Sequence, residues 1–191
     1  QCAGGIYMNN KLSIRDISVA ATFTALTAVM SQISIPLPFS PVPITLQIFA
    51  IYLSSIILGS RLATLSQIIY LLLGAVGVPV FSHFSGGFQS IVGPTGGFLI
   101  SFPIVAFIVG KISEKDMGII SLSLGLIISL IFCYSIGVLQ LSFVTKMPIK
   151  KSIMVGAVPF IPLDIVKIFI AYLIGIKVKI SLIKSNLLKI K

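Results

Sequence analysis

The chain has 191 residues, of which 57% are hydrophobic and only 9% charged. A soluble domain carries about 25% charged residues, so this composition excludes a water-soluble globule and indicates a polytopic membrane protein. The length accommodates about six spans of ~20 residues and leaves no room for a separate soluble domain. The net charge of +10 belongs to span ends and to the C-terminal stretch. It therefore reads as basic loops facing anionic lipid, not as a nucleic-acid surface.

Taken in chain order, Met8-Asn-Asn-Lys reads as the natural start, and residues 1–7 as a non-native or leader segment. No cleavable signal pattern is visible, since the first apolar run is long enough to remain as a span. Residues 1–13 form an N-terminal tail. Hydrophobic runs bounded by charge, Gly and Pro predict six helices over 14–34, 43–58, 62–80, 96–113, 117–141 and 161–177. Together, residues 14–177 make one all-α membrane domain. Residues 178–191 are basic and amphipathic and are expected to lie on the inner membrane face.

Six spans place both termini on one side. That side receives Lys11, Arg15, Arg61, Lys111, Lys115, Lys177, Lys179, Lys184, Lys189 and Lys191, whereas the other receives Lys146, Lys150 and Lys151. The asymmetry predicts cytoplasmic termini in a cell (plasma) membrane. Three irregular or polar segments then fall together on the outer side. The first is Pro36-Leu-Pro-Phe-Ser-Pro-Val-Pro-Ile-Thr-Leu-Gln47, whose four prolines cannot continue a helix. The second is the glycine-rich stretch 82–97, and the third is the start of the last helix. Irregular backbone at membrane depth requires cover by protein or a water-filled cavity, so these segments predict an outward-facing pocket capped by loops.

Asp164 and Lys167 carry the strongest chemical signal. They stand at i and i+3 within an otherwise apolar span, hence on one helix face. Each ionised group at membrane depth costs roughly 2.5–3.5 kcal/mol on insertion scales. In the functional reading Lys167 neutralises a ligand carboxylate and Asp164 accepts ligand N–H groups. In the structural reading the two neutralise each other, and Asp164 sits at the positive end of the helix. The readings are compatible if the pair is the resting state into which a ligand inserts.

Other candidates carry weaker signals. Gly86, Gly87, Gly93, Gly96 and Gly97 permit close backbone approach to a ligand, and Gln89 adds a polar contact; a tight connection between spans is the alternative. His83, the only histidine, is either a loop residue or pocket lining. Tyr70 presents its hydroxyl either to the pocket or to a local core partner. Thr45 belongs to the proline-rich outer segment. In the first helix Ala21-Thr-Phe-Thr-Ala25, extended by Ala28, is a small-residue stripe that lets another helix approach closely.

The absences are informative too. There is no phosphate-binding G-x-x-x-x-G-K-[ST] loop, no cluster of metal ligands and no nucleophile with an evident base. Cys2 and Cys133 are too far apart in kind and place to predict a disulfide. Asp16, Glu114 and Asp116 lie at the predicted cytoplasmic edge, leaving Asp164 as the only acid placed to relay a proton. No catalytic residue, metal or cofactor is expected.

From about Ser18 to Ala171 the chain resembles the biotin-specific substrate-binding S component of energy-coupling-factor (ECF) transporters, the BioY family. The resemblance rests on Pro41-Val-Pro-Ile-Thr-Leu-Gln47, Tyr70-Leu-Leu-Leu-Gly-Ala-Val-Gly-Val-Pro-Val-Phe81, Gly86-Gly-Phe, Gly93-Pro-Thr-Gly-Gly-Phe98 and Pro159-Phe-Ile-Pro-Leu-Asp-Ile-Val-Lys167. It implies a six-helix protein that binds biotin from outside beneath its first and third loops. It implies that Ala21 and Ala25 dock on a transmembrane coupling subunit, that two cytoplasmic ATPases complete the complex, and that the S component topples to carry the pocket inward. Asp164 would take the ureido N–H groups and Lys167 the valerate carboxylate. His83 and Gln89 occupy the stretch where the family places further polar contacts. The alternatives are an S component for another small anionic vitamin, an autonomous biotin transporter, and a membrane enzyme using Asp164 as a base.

Overall fold

The computed structural model describes residues 12–115 and 118–185. The expectations for residues 1–7, Lys11, Asp116 and the last part of the tail, 186–191, lie outside the described residues. The fold is mostly helical. Helix α1 (Ile14–Gln32) starts at a reciprocal capping box: Asp16 N–H donates to Ser13 Oγ at 3.1 Å, and Ser13 N–H donates to Asp16 Oδ2 at 3.0 Å. Its inward face is Ala20, Thr24, Thr27 and Ser31. These small side chains allow a close approach to α2 (Gln47–Ala75), where Thr24 Oγ1 donates to the Ser66 carbonyl at 2.9 Å.

Between α1 and α2 the expectation of irregular backbone, and with it a purely all-α fold, is corrected. Residues Ser34–Leu37 (β1) and Ser40–Thr45 (β2) form an antiparallel hairpin, pairing Ser34 with Thr45 and Leu37 with Ser40. Prolines forbid helix here, but a two-stranded ribbon has only edges, where a missing N–H is tolerated. Ser40 Oγ ties the hairpin to the rest of the bundle by donating to the Val155 carbonyl at 2.7 Å.

The second and third expected spans are continuous as α2, but the chain reverses inside it. Gly59 has φ 78° and ψ −178°, a conformation open essentially to glycine alone. Gln47 Nε2 donates to Tyr70 Oη at 2.6 Å. Residues separated by twenty-three positions would lie about 35 Å apart along a straight helix, so residues 47–58 and 60–75 must fold back on one another. Glu114 fastens the break: its Oε1 accepts from Ser60 N–H at 2.7 Å and from Ser60 Oγ at 2.9 Å. Gly110 lets helix α4 (Gly96–Lys115) pass directly against the Ser60 backbone.

The remaining elements are a 3₁₀ turn at Ser82–Phe84, α3 (Phe88–Val92), α5 (Ile119–Thr145), α6 (Ile149–Gly156) and α7 (Ile161–Lys184). The last helix continues without interruption through the first part of the basic tail. By length and composition, α2, α4 and α5 are suited to cross a membrane, and α6 with α7, bent by 48°, adds a fourth candidate. This is fewer than the six spans read from hydropathy, partly because that count takes the folded-back α2 as one helix. Gly59→Ala forces a Cβ into the Glu114 carboxylate as well as a strained backbone. It is expected to cost about 1–3 kcal/mol, seen as a lower Tm by circular dichroism in detergent; an unchanged Tm would contradict the reversal.

Candidate functional site

Asp164 lies in the first turn of α7. Pro162 stands beside it at a helix start where no backbone N–H is needed, and the positive helix end favours a carboxylate. One turn on, Lys167 Nζ donates to Asp164 Oδ1 at 2.7 Å and to the Thr45 carbonyl at 2.8 Å. From α5, Tyr134 Oη donates to Asp164 Oδ2 at 2.6 Å. Asp164 is 5% exposed and Lys167 9%, so both charges are largely withdrawn from solvent. Each carboxylate oxygen accepts a bond, and two of the three ammonium protons have partners.

These groups form one wall of a cavity of ≈ 170 Å³. A water molecule's share of liquid volume is about 30 Å³, so the space suits a small organic molecule. Val42, Phe98, Leu99, Phe102, Leu130 and Phe160 give it an apolar lining, while Gln47, Ser85, Gln89, Ser90 and Thr95 add polar groups. An apolar enclosure with a few placed polar groups is the general form of a small-molecule site. Among the described residues no group of His, Cys, Asp and Glu could hold a metal ion.

The structure divides the sequence-predicted residues. Asp164, Lys167, Thr45 and Gln89 lie on the cavity wall. Thr45 gives its carbonyl to Lys167 and its hydroxyl to Gln47 Oε1 at 3.0 Å, while Gln89 Nε2 donates to the Gly86 carbonyl at 3.0 Å. Gly86 and Gly87 are not among the lining residues. Gly86 packs against the Val78 carbonyl. Gly87, at φ 95°, starts α3 and donates its N–H to the Gly74 carbonyl at 2.7 Å.

Tyr70 is fully buried behind the wall. It donates to the Val80 carbonyl at 3.0 Å and packs edge-on against Phe81. Its contact with the cavity is indirect, through Gln47 and Phe81. His83 lines a second, outer depression with Pro36, Leu37, Ser40 and Pro41. Ala21 and Ala25 are exposed on α1, on the side away from its packed face.

Residues 8–184 match the BioY family. The chain belongs to that family. This BioY-family chain is 43% identical over 166 residues to the biotin transporter BioY of Thermotoga maritima, covering 87% of this chain and 96% of the relative. It is 42% identical to the probable biotin transporter BioY of Pyrococcus horikoshii, covering 86% and 96%. Its fold is similar to the 2.1 Å crystal structure of the S-component for biotin from an ECF-type ABC transporter. That match has a TM-score of 0.77 and 28% identity, and covers 90% of this chain and 94% of the other.

Sequence reading missed Tyr134 and Cys133. The signal available for Tyr134 was a lone hydroxyl-bearing aromatic in a strongly apolar span, which by itself names no partner thirty residues away. Cys133, buried on the wall, accepts a hydrogen bond from Ser101 Oγ at 3.1 Å. Tyr134→Phe leaves Asp164 Oδ2 without its donor, a loss of about 1.5–3 kcal/mol for a hydrogen bond to a charged group. A lowered Tm of the unliganded protein is expected; no change would show that Tyr134 contributes nothing to holding the carboxylate.

Proposed function

We propose that this chain is the biotin-binding S component of an ECF-type uptake transporter. Its membership of the BioY family supports the reading, and the buried Asp164–Lys167 pair on the wall of a mostly apolar cavity carries it. Biotin presents an apolar bicycle, a ureido group with N–H donors and a carboxylate. The bicycle suits the phenylalanine- and leucine-lined space. The third proton of Lys167 is directed to the carboxylate, and Asp164 receives ureido N–H groups at lone pairs beyond those used by Lys167 and Tyr134.

In this reading the chain crosses the plasma membrane six times with both termini in the cytoplasm. The reversal at Gly59 supports the higher count, because it turns one long helix into two antiparallel segments. The cavity opens outward beneath the β1–β2 hairpin and the 82–97 loop. Ala21 and Ala25 on the exposed side of α1 receive the transmembrane coupling subunit, and two cytoplasmic ATPases supply the energy. The chain itself is a non-catalytic subunit with no cofactor, and biotin is its cargo.

Lys167→Ala tests the assignment of the two ends of the ligand. It is expected to weaken biotin binding more than binding of an uncharged biotin amide, the difference being roughly tenfold or more for a charge-assisted hydrogen bond. Equal losses for the two ligands, measured by equilibrium binding in detergent, would remove the carboxylate from Lys167.

A further inference from the structure

The turn 81–85 forms part of the partition between the cavity and the outer depression, together with Pro43 and Thr95, which line both. Phe81, Ser82 and Ser85 line the cavity, while Ser82, His83 and Ser85 line the depression. At its tip His83 and Phe84 have φ of 57° and 53°. Two consecutive non-glycine residues in the left-handed region make an unfavourable conformation that persists only where its surroundings impose it. Inside the turn there are short-range bonds: Phe81 N–H donates to the Ser85 carbonyl at 3.0 Å, and Ser85 N–H to the Ser82 carbonyl at 3.2 Å.

The shortest outside restraints come from the end of α1, beside a longer Ser34 Oγ–His83 Nε2 contact of 3.4 Å from β1. Gln32 Nε2 donates to the Phe81 carbonyl at 3.0 Å, and Gln32 Oε1 accepts Phe84 N–H at 2.9 Å. One side-chain amide thus grips the turn just before its strained tip and within it. Ser31 Oγ adds a 2.6 Å bond to the Val80 carbonyl. Those bonds are the main contribution from outside the turn that offsets its strain.

We propose that Gln32 is a positioning residue that retains the bound ligand by holding the 81–85 turn across the path from the cavity to the outer depression. Gln32 touches neither the cavity nor the Asp164–Lys167 pair, so its effect is on ligand escape and not on ligand recognition. The inference rests on the biotin reading above. It also gives α1 two roles on one rod, an exposed alanine face and a hold on the cavity wall.

The test is dissociation of radiolabelled biotin from the full chain in detergent, for wild type, Gln32→Met and Ser31→Ala. Gln32→Met keeps the side chain's length and removes both bonds. It is expected to release biotin about tenfold faster or more without slowing association, and Ser31→Ala to act in the same direction more weakly. A merely structural role would lower the Tm or the fraction of active protein and leave the dissociation rate of the remainder unchanged. A Gln32→Met rate within about twofold of wild type would overturn the proposal. If Gln32→Met does not fold, an unchanged rate in Ser31→Ala overturns it and a faster one supports it. Failure of the wild-type chain to bind biotin would instead overturn the ligand assignment, and the proposal with it.

Discussion

A carboxylate and an ammonium buried in an apolar helix constrain everything around them. Either charge alone is costly at membrane depth, and removing one partner of a buried pair leaves the other uncompensated. Asp164 and Lys167 meet this constraint locally, by facing each other one turn apart. They also recruit other elements: Lys167 reaches the Thr45 carbonyl at the end of the hairpin, and Tyr134 reaches Asp164 from α5. The pair therefore joins three separate parts of the chain at a single point on the cavity wall. On the proposed function, a ligand that carries both N–H donors and a negative charge would exchange with these contacts without asking the site to bury a lone charge.

The rest of the fold keeps that point in place. The reversal at Gly59 returns the chain so that Tyr70 lies beside Gln47, and Tyr70 in turn bonds the Val80 carbonyl at the start of the loop. Gln140 of α5 holds the far side of the same loop by donating to the Ile91 and Gly93 carbonyls at 2.7 and 2.9 Å. At the opposite end of α7, Lys179 Nζ donates to the Ser113 carbonyl and hydroxyl, both at 2.8 Å, and Gly175 lets α7 press closely on Ile56. The helix that carries the ion pair is thus fastened at both ends.

Much of this was legible in the sequence because membrane solvation leaves few options. Apolar runs located the long helices but not the short α3 and α6, and ionisable residues inside such a run had to be partnered, which singled out Asp164 and Lys167 together. Helix boundaries and the proline segment were less legible. Four prolines exclude a helix but do not distinguish irregular chain from an edge-paired ribbon. The return of the chain between residues 58 and 62 was legible as two successive spans, but not that one glycine in an extended, positive-φ conformation makes the turn inside an otherwise unbroken helix. The glycine loop shows the same limit: close approach was readable, yet Gly86 and Gly87 approach their own neighbours, not the cavity. Tyr134 was hidden because a hydroxyl's partner is set by packing between α5 and α7, on which local sequence is silent.

Isothermal titration of the purified chain with biotin in detergent, beside the double substitution Asp164→Ala/Lys167→Ala, tests the central claim most directly. The account predicts tight one-to-one binding that the double substitution abolishes in a sample that still runs as a folded species. A folded wild-type chain that gives no heat with biotin, or a double variant that binds as well as wild type, would contradict it.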